Sequence, residues 1–410
     1  MSSVDISMIL QAERTLNGVV KHTELLFAEK LSKRLNGNIY LKLENLQKSG
    51  SFKIRGAYNR IIHLSAEEKA CGVVASSAGN HAQGVAISAT KLGIKSTIVM
   101  PMTAPFAKIN ATRNYGGEVV LHGEIYDDAY NKACQIKEET GATFIHPFND
   151  PLVIAGQGTI GLEILNDKSD IDTVLVPIGG GGLCAGVAVA VRSINPNVRV
   201  IGVQASNANA MQLAMKNGKV EPISVTKTIA DGTAVGKPGD LTFEIIQQYV
   251  DEVVTVSEDE IAQAYLYLLE TCNISTEGSG ALVVAAMMSG KVEVAGRNVA
   301  GVVSGGNIDV TLIESVINHA LMSLGRRTEI KTEILDKPGQ LSNLIRIISE
   351  EHANIDHIHQ GKSRQDLFIQ DQAVTAVIET IDAVHKMRII KRLQENGYKL
   401  RYTISEFDGE

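Results

Sequence analysis

The chain has 410 residues, too many for one ordinary hydrophobic core and suited to about two or three domains. Hydrophobic residues make up 44% of it and charged residues 21%, and a formal net charge of -7 without any basic run argues against a nucleic-acid partner. Apolar runs such as 173–178 and 187–191 are far shorter than the roughly 20 residues that cross a bilayer, and residues 1–10 lack the basic start and long apolar block of a signal peptide. The four cysteines, Cys71, Cys134, Cys184 and Cys272, lie far apart with no metal-type spacing, so the expectation is a reduced, cytoplasmic protein, with no membrane partner and no metal site.

From residue 38 onward short β-branched runs alternate with helical patterns. Strands are predicted over 38–44, 73–76, 97–100, 118–121, 143–147, 173–178 and 198–204, and helices over 53–64, 80–92 and 105–114. This alternation predicts an α/β fold with mostly parallel strands and helices on both faces, so chemistry belongs on the loops that follow strands. The rhythm changes after about residue 324. A strand over 326–335, a helix over 340–351, strands over 353–360 and 374–379, a helix over 382–395 and a final strand over 398–404 spell βαββαβ, a ferredoxin-like unit. The exposed pair Arg326-Arg327 marks the link, which divides the chain into domains 1–324 and 325–410.

Four loops carry candidate chemistry. In Ser51-Phe52-Lys53-Ile54-Arg55-Gly56-Ala57 a lysine opens a helix, where the macrodipole disfavours a cation and helps keep the amine neutral and nucleophilic, with Phe52 beside it. Gly179-Gly180-Gly181-Gly182-Leu183 joins a buried strand to a helix and can aim several N–H groups at a phosphate. No Gly-Lys-Ser/Thr follows, which excludes a P-loop; Gly180, Gly182 and Ala185 satisfy the dinucleotide spacing, but the next strand ends at Gln204, where the ribose-binding acid belongs. Ser76-Ser77-Ala78-Gly79-Asn80-His81 lies between a strand and a helix and reads either as a carboxylate-binding loop or as ordinary capping by Ser77 or Asn80. Ser304-Gly305-Gly306-Asn307 follows a strand, and its serine reads as a cap or as a partner for a ring nitrogen.

Together these motifs resemble the tryptophan synthase β-like, fold-type II pyridoxal-phosphate enzymes, and among them the threonine dehydratases (threonine ammonia-lyases). Leu335-Asp336-Lys337-Pro338-Gly339-Gln340-Leu341 resembles the start of an ACT domain, the small amino-acid-sensing βαββαβ module. The resemblance implies pyridoxal 5'-phosphate as cofactor and an allosterically regulated conversion of L-threonine to 2-oxobutanoate and ammonia, and of L-serine to pyruvate. Lys53 would carry the cofactor and remove the Cα proton, Phe52 would lie beside the cofactor, Asn80 would bind its ring hydroxyl, and Gly179, Gly180, Gly181, Gly182 and Leu183 its phosphate. Ser304 would meet the pyridine nitrogen, and Ser76, Ser77, Ala78, Gly79, Asn80 and His81 the substrate carboxylate. Asp336, Pro338, Gly339, Leu341 and Asn354 would form the regulatory site for an amino-acid or nucleotide effector, in a homodimer or homotetramer. Isoleucine inhibition would mark isoleucine biosynthesis, and nucleotide activation a catabolic role.

Departures from the family pattern narrow this expectation. The related serine racemases carry a serine where this chain has Ala78, and metal-binding acids where it has Gln204 and Ala210. Here His22-Thr23-Glu24-Leu25 replaces the common Thr-Pro-Leu. The competing readings are a serine racemase, a β-replacement enzyme of the same fold and a non-catalytic amino-acid sensor.

Overall fold

The computed structural model describes residues 4–361 and 371–402. The chain forms two compact units, one ending at Val310 and one beginning at Thr311. This division falls one helix, Val310–Ser323, ahead of residue 324; within that helix Val316 and Ala320 are the buried positions.

The first unit holds two sheets. The larger has the strand order Leu25–Phe27, Asn38–Leu43, Asn298–Val303, Thr173–Pro177, Arg199–Ala205, Glu252–Val256, parallel except for the antiparallel edge pairing of Leu25–Phe27. Its inner strand Thr173–Pro177 is buried at every position, which is why it reads as a continuous apolar run rather than an alternating one. The smaller sheet is wholly parallel, in the order Glu118–Leu121, Ser96–Met100, Val73–Ser76, Thr143–Phe144. Its last strand is shorter than the expected 143–147. Beyond Phe144 the His146 ring accepts from the backbone N–H groups of Phe148 (3.2 Å) and Asn149 (2.8 Å), and Pro147 has no N–H to offer a ladder.

The helix Pro151–Asp167 starts where Asp150 accepts from the N–H groups of Leu152 and Val153, with a proline in its first turn. It crosses the helix Gly182–Ile194 at backbone contact: a Cβ on Gly186 would lie 2.3 Å from the Ile154 carbonyl oxygen. Both helices join a core that includes Ile9, Ile160, Leu162, Val176, Val187 and Val200.

The second unit is an antiparallel sheet in the order Asn354–Gly361, Asp371–Glu379, Arg327–Leu335, Arg401–Tyr402. With its helices Gln340–Glu350 and Ala383–Glu395 it has the expected βαββαβ order. Every second position of Arg327–Leu335 is buried, and Ile330 and Ile334 among them join Leu344, Ile348, Ile389 and Leu393 in one core, as befits a sheet covered on one face. The final strand begins later than expected, at Arg401. Gly397, at φ +88°, turns the chain back so that the Tyr398 N–H bonds the Leu393 carbonyl, and the Lys399 carbonyl accepts from the Thr332 hydroxyl; residues 403 and 404 lie outside the described residues. Among the described residues no helix is long and apolar enough to cross a membrane.

Candidate active site

Lys53 is the first residue of the helix Lys53–Ile62. That helix packs against Asn80–Lys91 and Pro151–Asp167 through glycines: a Cβ on Gly84 would lie 3.0 Å from the Lys53 carbonyl carbon, and one on Gly156 would lie 2.6 Å from the Arg55 carbonyl oxygen. On the far side, the Arg55 guanidinium is fully buried. It donates from Nε and Nη2 to Glu44 (2.9 and 2.7 Å) and from Nη1 and Nη2 to Glu163 (2.6 and 3.0 Å). Lys42, equally buried, pairs with Glu163 at 2.8 Å and donates to the Thr23 carbonyl at 2.6 Å. The unusual His22-Thr23 turn is thus tied down by side chains, with Thr23 donating to Glu44 at 2.6 Å.

The loop before Lys53 is stitched to the loop after Asn298–Val303. Ser51 and Gly305 form an isolated bridge, the Phe52 N–H donates to the Ser304 carbonyl at 3.2 Å, and the Gly306 N–H donates to the Gly50 carbonyl at 2.9 Å. Backbone pairing therefore brings the lysine and the strand-end serine to one place. Lys53 Nζ donates to the Pro147 carbonyl at 3.0 Å and lies 5.1 Å from the Phe52 ring centroid. Burial pushes its amine down to about 8, opposed by the Glu277 charge; desolvation is the main cause where the sequence suggested the helix dipole.

Phe52, Lys53, Ser76, Ser77, Ala78, Gly79, Asn80, His81, Gly179 to Leu183 and Ser304 all line one cavity of ≈ 720 Å³. The glycine loop does more than flex. Gly181 sits at φ +100°, and a Cβ on Gly180 would lie 2.3 Å from the Phe148 ring, so only glycine lets the loop take this path into the N-terminus of Gly182–Ile194. At the second loop, neither Ser77 nor Asn80 caps the helix Asn80–Lys91. Ser77 Oγ accepts from the Gly79 N–H at 3.2 Å, and the Asn80 amide turns instead to Glu277 and Asn307. His81 is neutral: burial pushes it down to about 3, and Nε2 donates to the Ile145 carbonyl at 2.8 Å. The buried Ser76 hydroxyl lines the cavity beside the Tyr126 phenol.

Sequence reasoning overlooked Glu277, Asp231 and Lys108, which line the same cavity. Glu277 is 4% exposed and accepts from Asn80 Nδ2 at 2.8 and 3.0 Å. Burial pushes its carboxyl up to about 7; Asp231 acts in the same direction, against Asn80, Lys108 and Lys53. The signal was present: an acid placed directly before the Gly278-Ser279-Gly280 opening of the apolar helix Gly278–Met288. Gln204, buried, spends its amide on the Ala208 carbonyl (3.1 Å) and its oxygen on the Gln212 N–H (2.9 Å). Asp336, Pro338, Gly339, Leu341 and Asn354 belong to the second unit, where Gly339 at φ +90° opens the helix Gln340–Glu350 and Asn354 donates to Glu379 at 2.9 Å.

A buried amine of lowered proton affinity and an anion cradle at a helix N-terminus around one cavity suit a carbonyl cofactor that bears a phosphate. Residues 16–305 match the pyridoxal-phosphate dependent enzyme family, and the chain belongs to that family. It is 51% identical to an L-threonine ammonia-lyase of Thermotoga maritima over 97% of this chain and 99% of that protein. To the catabolic L-threonine dehydratase of Escherichia coli it is 48% identical, over 76% of this chain and 96% of that one. Among solved structures, the processed form of threonine deaminase isoform 2 from Solanum lycopersicum superposes with a TM-score of 0.73 at 40% identity, covering 78% of this chain and 90% of that one. Maize serine racemase does so with 0.74 at 36%, covering 77% and 98%. The fold is the fold-type II α/β architecture, and the cofactor is pyridoxal 5'-phosphate.

Proposed function

We propose that this chain deaminates L-threonine to 2-oxobutanoate and ammonia, and L-serine to pyruvate by the same route. The observation that carries this reading is Lys53: a buried amine held near 8 at the wall of the ≈ 720 Å³ cavity, in a chain akin to threonine ammonia-lyases along nearly its whole length. Pyridoxal phosphate, when bound, supplies an electron-withdrawing ring conjugated to the substrate nitrogen. Lys53 would hold the cofactor and, as a free amine beside the bound substrate, would take the Cα proton. The N–H groups of Gly179 to Leu183 would hold the phosphate, Asn80 the ring hydroxyl, and the Ser76 to His81 loop the substrate carboxylate.

Two residues direct the outcome. Ser304 would meet the ring nitrogen with a neutral hydroxyl rather than an acid, which would favour prompt loss of the β-hydroxyl over long-lived negative charge on the substrate. That leaving group needs a proton, which Lys53 returns, so a water departs from Cα and Cβ. Tautomerisation of the released enamine to an imine and addition of water then give the 2-oxo acid and ammonia. Ala78 has no proton to deliver, which separates this site from a racemase. The decisive experiment purifies the protein with its cofactor, records the near-ultraviolet absorbance of the lysine-linked form and measures 2-oxo acid release. Cofactor-loaded protein inert toward both amino acids would sink the reading.

Residues 1–324 hold the catalytic machinery in this reading, and 325–410 act as an ACT-type sensor, with an amino-acid or nucleotide effector at Asp336 to Leu341 and Asn354. The βαββαβ order and the helix opening at Gly339 support it. Such modules pair side by side, so assembly is as a homodimer or homotetramer. The four unpaired cysteines suit the cytoplasm. Threonine turnover measured with and without isoleucine, valine and ADP tests the sensor; indifference to all three removes these effectors from consideration.

A further inference from the structure

We propose that Glu277 is a positioning residue: its carboxylate fixes the Asn80 amide so that one N–H remains directed to the cofactor. This rests on the reading that Asn80 meets the cofactor's ring oxygen.

The Asn80 amide is held at both ends. Its Oδ1 accepts from Asn307 Nδ2 at 2.7 Å, and Asn307 is itself anchored by donating to the Ser49 carbonyl at 2.8 Å. Its Nδ2 lies 2.8 and 3.0 Å from the two Glu277 oxygens. An amide nitrogen carries two protons, and one shared between two carboxylate oxygens leaves the other for the cavity that Asn80 lines. A hydrogen bond to a charged acceptor is stronger and more directional than one to a neutral group, so the ionised carboxylate is the better anchor. Glu277 is fixed in turn: its N–H donates to the Gly305 carbonyl at 3.1 Å, and a Cβ on Gly305 would lie 2.6 Å from Glu277 Oε1. Position 305 thus has to be glycine for the carboxylate to sit where it does.

A buried carboxylate whose hydrogen-bond partner is an amide rather than a cation is expensive to keep, and such groups concentrate at functional sites. The charged groups that face it are Asp231, Lys108 and Lys53, from three different segments. Lys53 feels it in return, since the Glu277 charge favours the protonated amine.

The test uses the full chain stripped of cofactor and titrated with pyridoxal phosphate, followed by absorbance. Glu277→Ala should weaken cofactor binding roughly ten-fold or more, as loss of a hydrogen bond to a charged group does, and Glu277→Gln, which keeps an acceptor, should weaken it less. In an Asn80→Ala background the further loss from Glu277→Ala should be under about two-fold, because the two residues act as one unit. Glu277→Gln should also move the acid limb of cofactor binding to lower pH, since neutral glutamine no longer favours a protonated Lys53. Wild-type affinity in Glu277→Ala, or losses that multiply in the double variant, would overturn the proposal. Should Glu277→Ala fail to fold, a Glu277→Gln loss of affinity that persists undiminished in the Asn80→Ala background overturns it alone. Wild-type holoenzyme inert toward L-threonine would overturn the functional reading instead, and the affinity cycle would still decide Glu277.

Discussion

Lys53 and Arg55 stand two residues apart on one helix, carry the same formal charge into the interior, and meet opposite surroundings. Arg55 is met by two carboxylates through four hydrogen bonds, with Lys42 and Thr23 completing the cluster. Lys53 meets a carbonyl, an aromatic face and one acid that Asn80 has already engaged, and burial drives its amine toward neutrality. The lesson is about pairing rather than depth. Buried charges with full sets of partners stay charged and hold the helix in place; buried charges short of partners become chemically available.

The comparison breaks most visibly at Lys53. Lys53→Ala should lower 2-oxo acid release from threonine by on the order of 10⁴-fold or more, since the base and the cofactor anchor vanish together. The same change should raise the melting temperature of the cofactor-free protein near pH 7. The folded-state value is depressed from 10.5 to about 8, so the ammonium is disfavoured in the fold and wild type loses stability as pH falls through that value. Arg55→Ala should do the reverse: a loss of about 3–5 kcal/mol in denaturant unfolding, because Glu44 is left buried without its cation and Glu163 keeps only Lys42. A mild effect at Arg55 would mean that the carboxylates find water and that the cluster is less closed than its geometry indicates.

Much of this contrast was legible in the sequence, and the reasons it was not wholly so are physical. Lys53, the glycine loop and Ser304 announce themselves because each lies at a strand end or helix start, where local spacing and function coincide. The βαββαβ order of the second unit was readable because its apolar positions keep clean periods. Glu277 was legible only as an acid before Gly278-Ser279-Gly280, since it reaches Asn80 across 197 residues of chain and no local pattern encodes that meeting. The partners of Arg55 were hidden for the same reason: Glu163 is 108 residues away. The early end of the strand at Phe144 depends on a histidine ring accepting two backbone protons, a contact that a β-branched run cannot reveal.

A smaller effect sharpens the comparison at the acid. Glu277 has its folded-state value raised from 4.5 to about 7, so the protonated form is favoured by folding, and its contribution is lost as pH rises through that range. Glu277→Gln should match wild type in stability below about pH 4.5 and exceed it at pH 8 by about 3 kcal/mol, because a tenfold change in a proton-binding constant is worth about 1.36 kcal/mol. Unfolding of the cofactor-free protein at the two pH values checks this. Equal stability at both would mean that the carboxylate is solvated after all.

The smallest expected effect tests whether the cavity's charges act as one field. Lys108 and Asp231 pair at 2.6 Å, with the Asp231 side chain 50% exposed. Asp231 pushes the Glu277 carboxyl up and Lys108 pushes it down. Asp231→Asn removes the first influence and frees the second, so the pH at which Glu277 titrates should fall; Lys108→Met should raise it. Each displacement should stay below about one pH unit, because solvent screens the exposed member of the pair. The measurement is the midpoint of the stability-versus-pH difference between each variant and the same variant carrying Glu277→Gln. Opposite displacements of the midpoint follow from through-space electrostatics, whereas displacement in one direction by both variants would show that the ion pair acts by holding the surrounding loops in place.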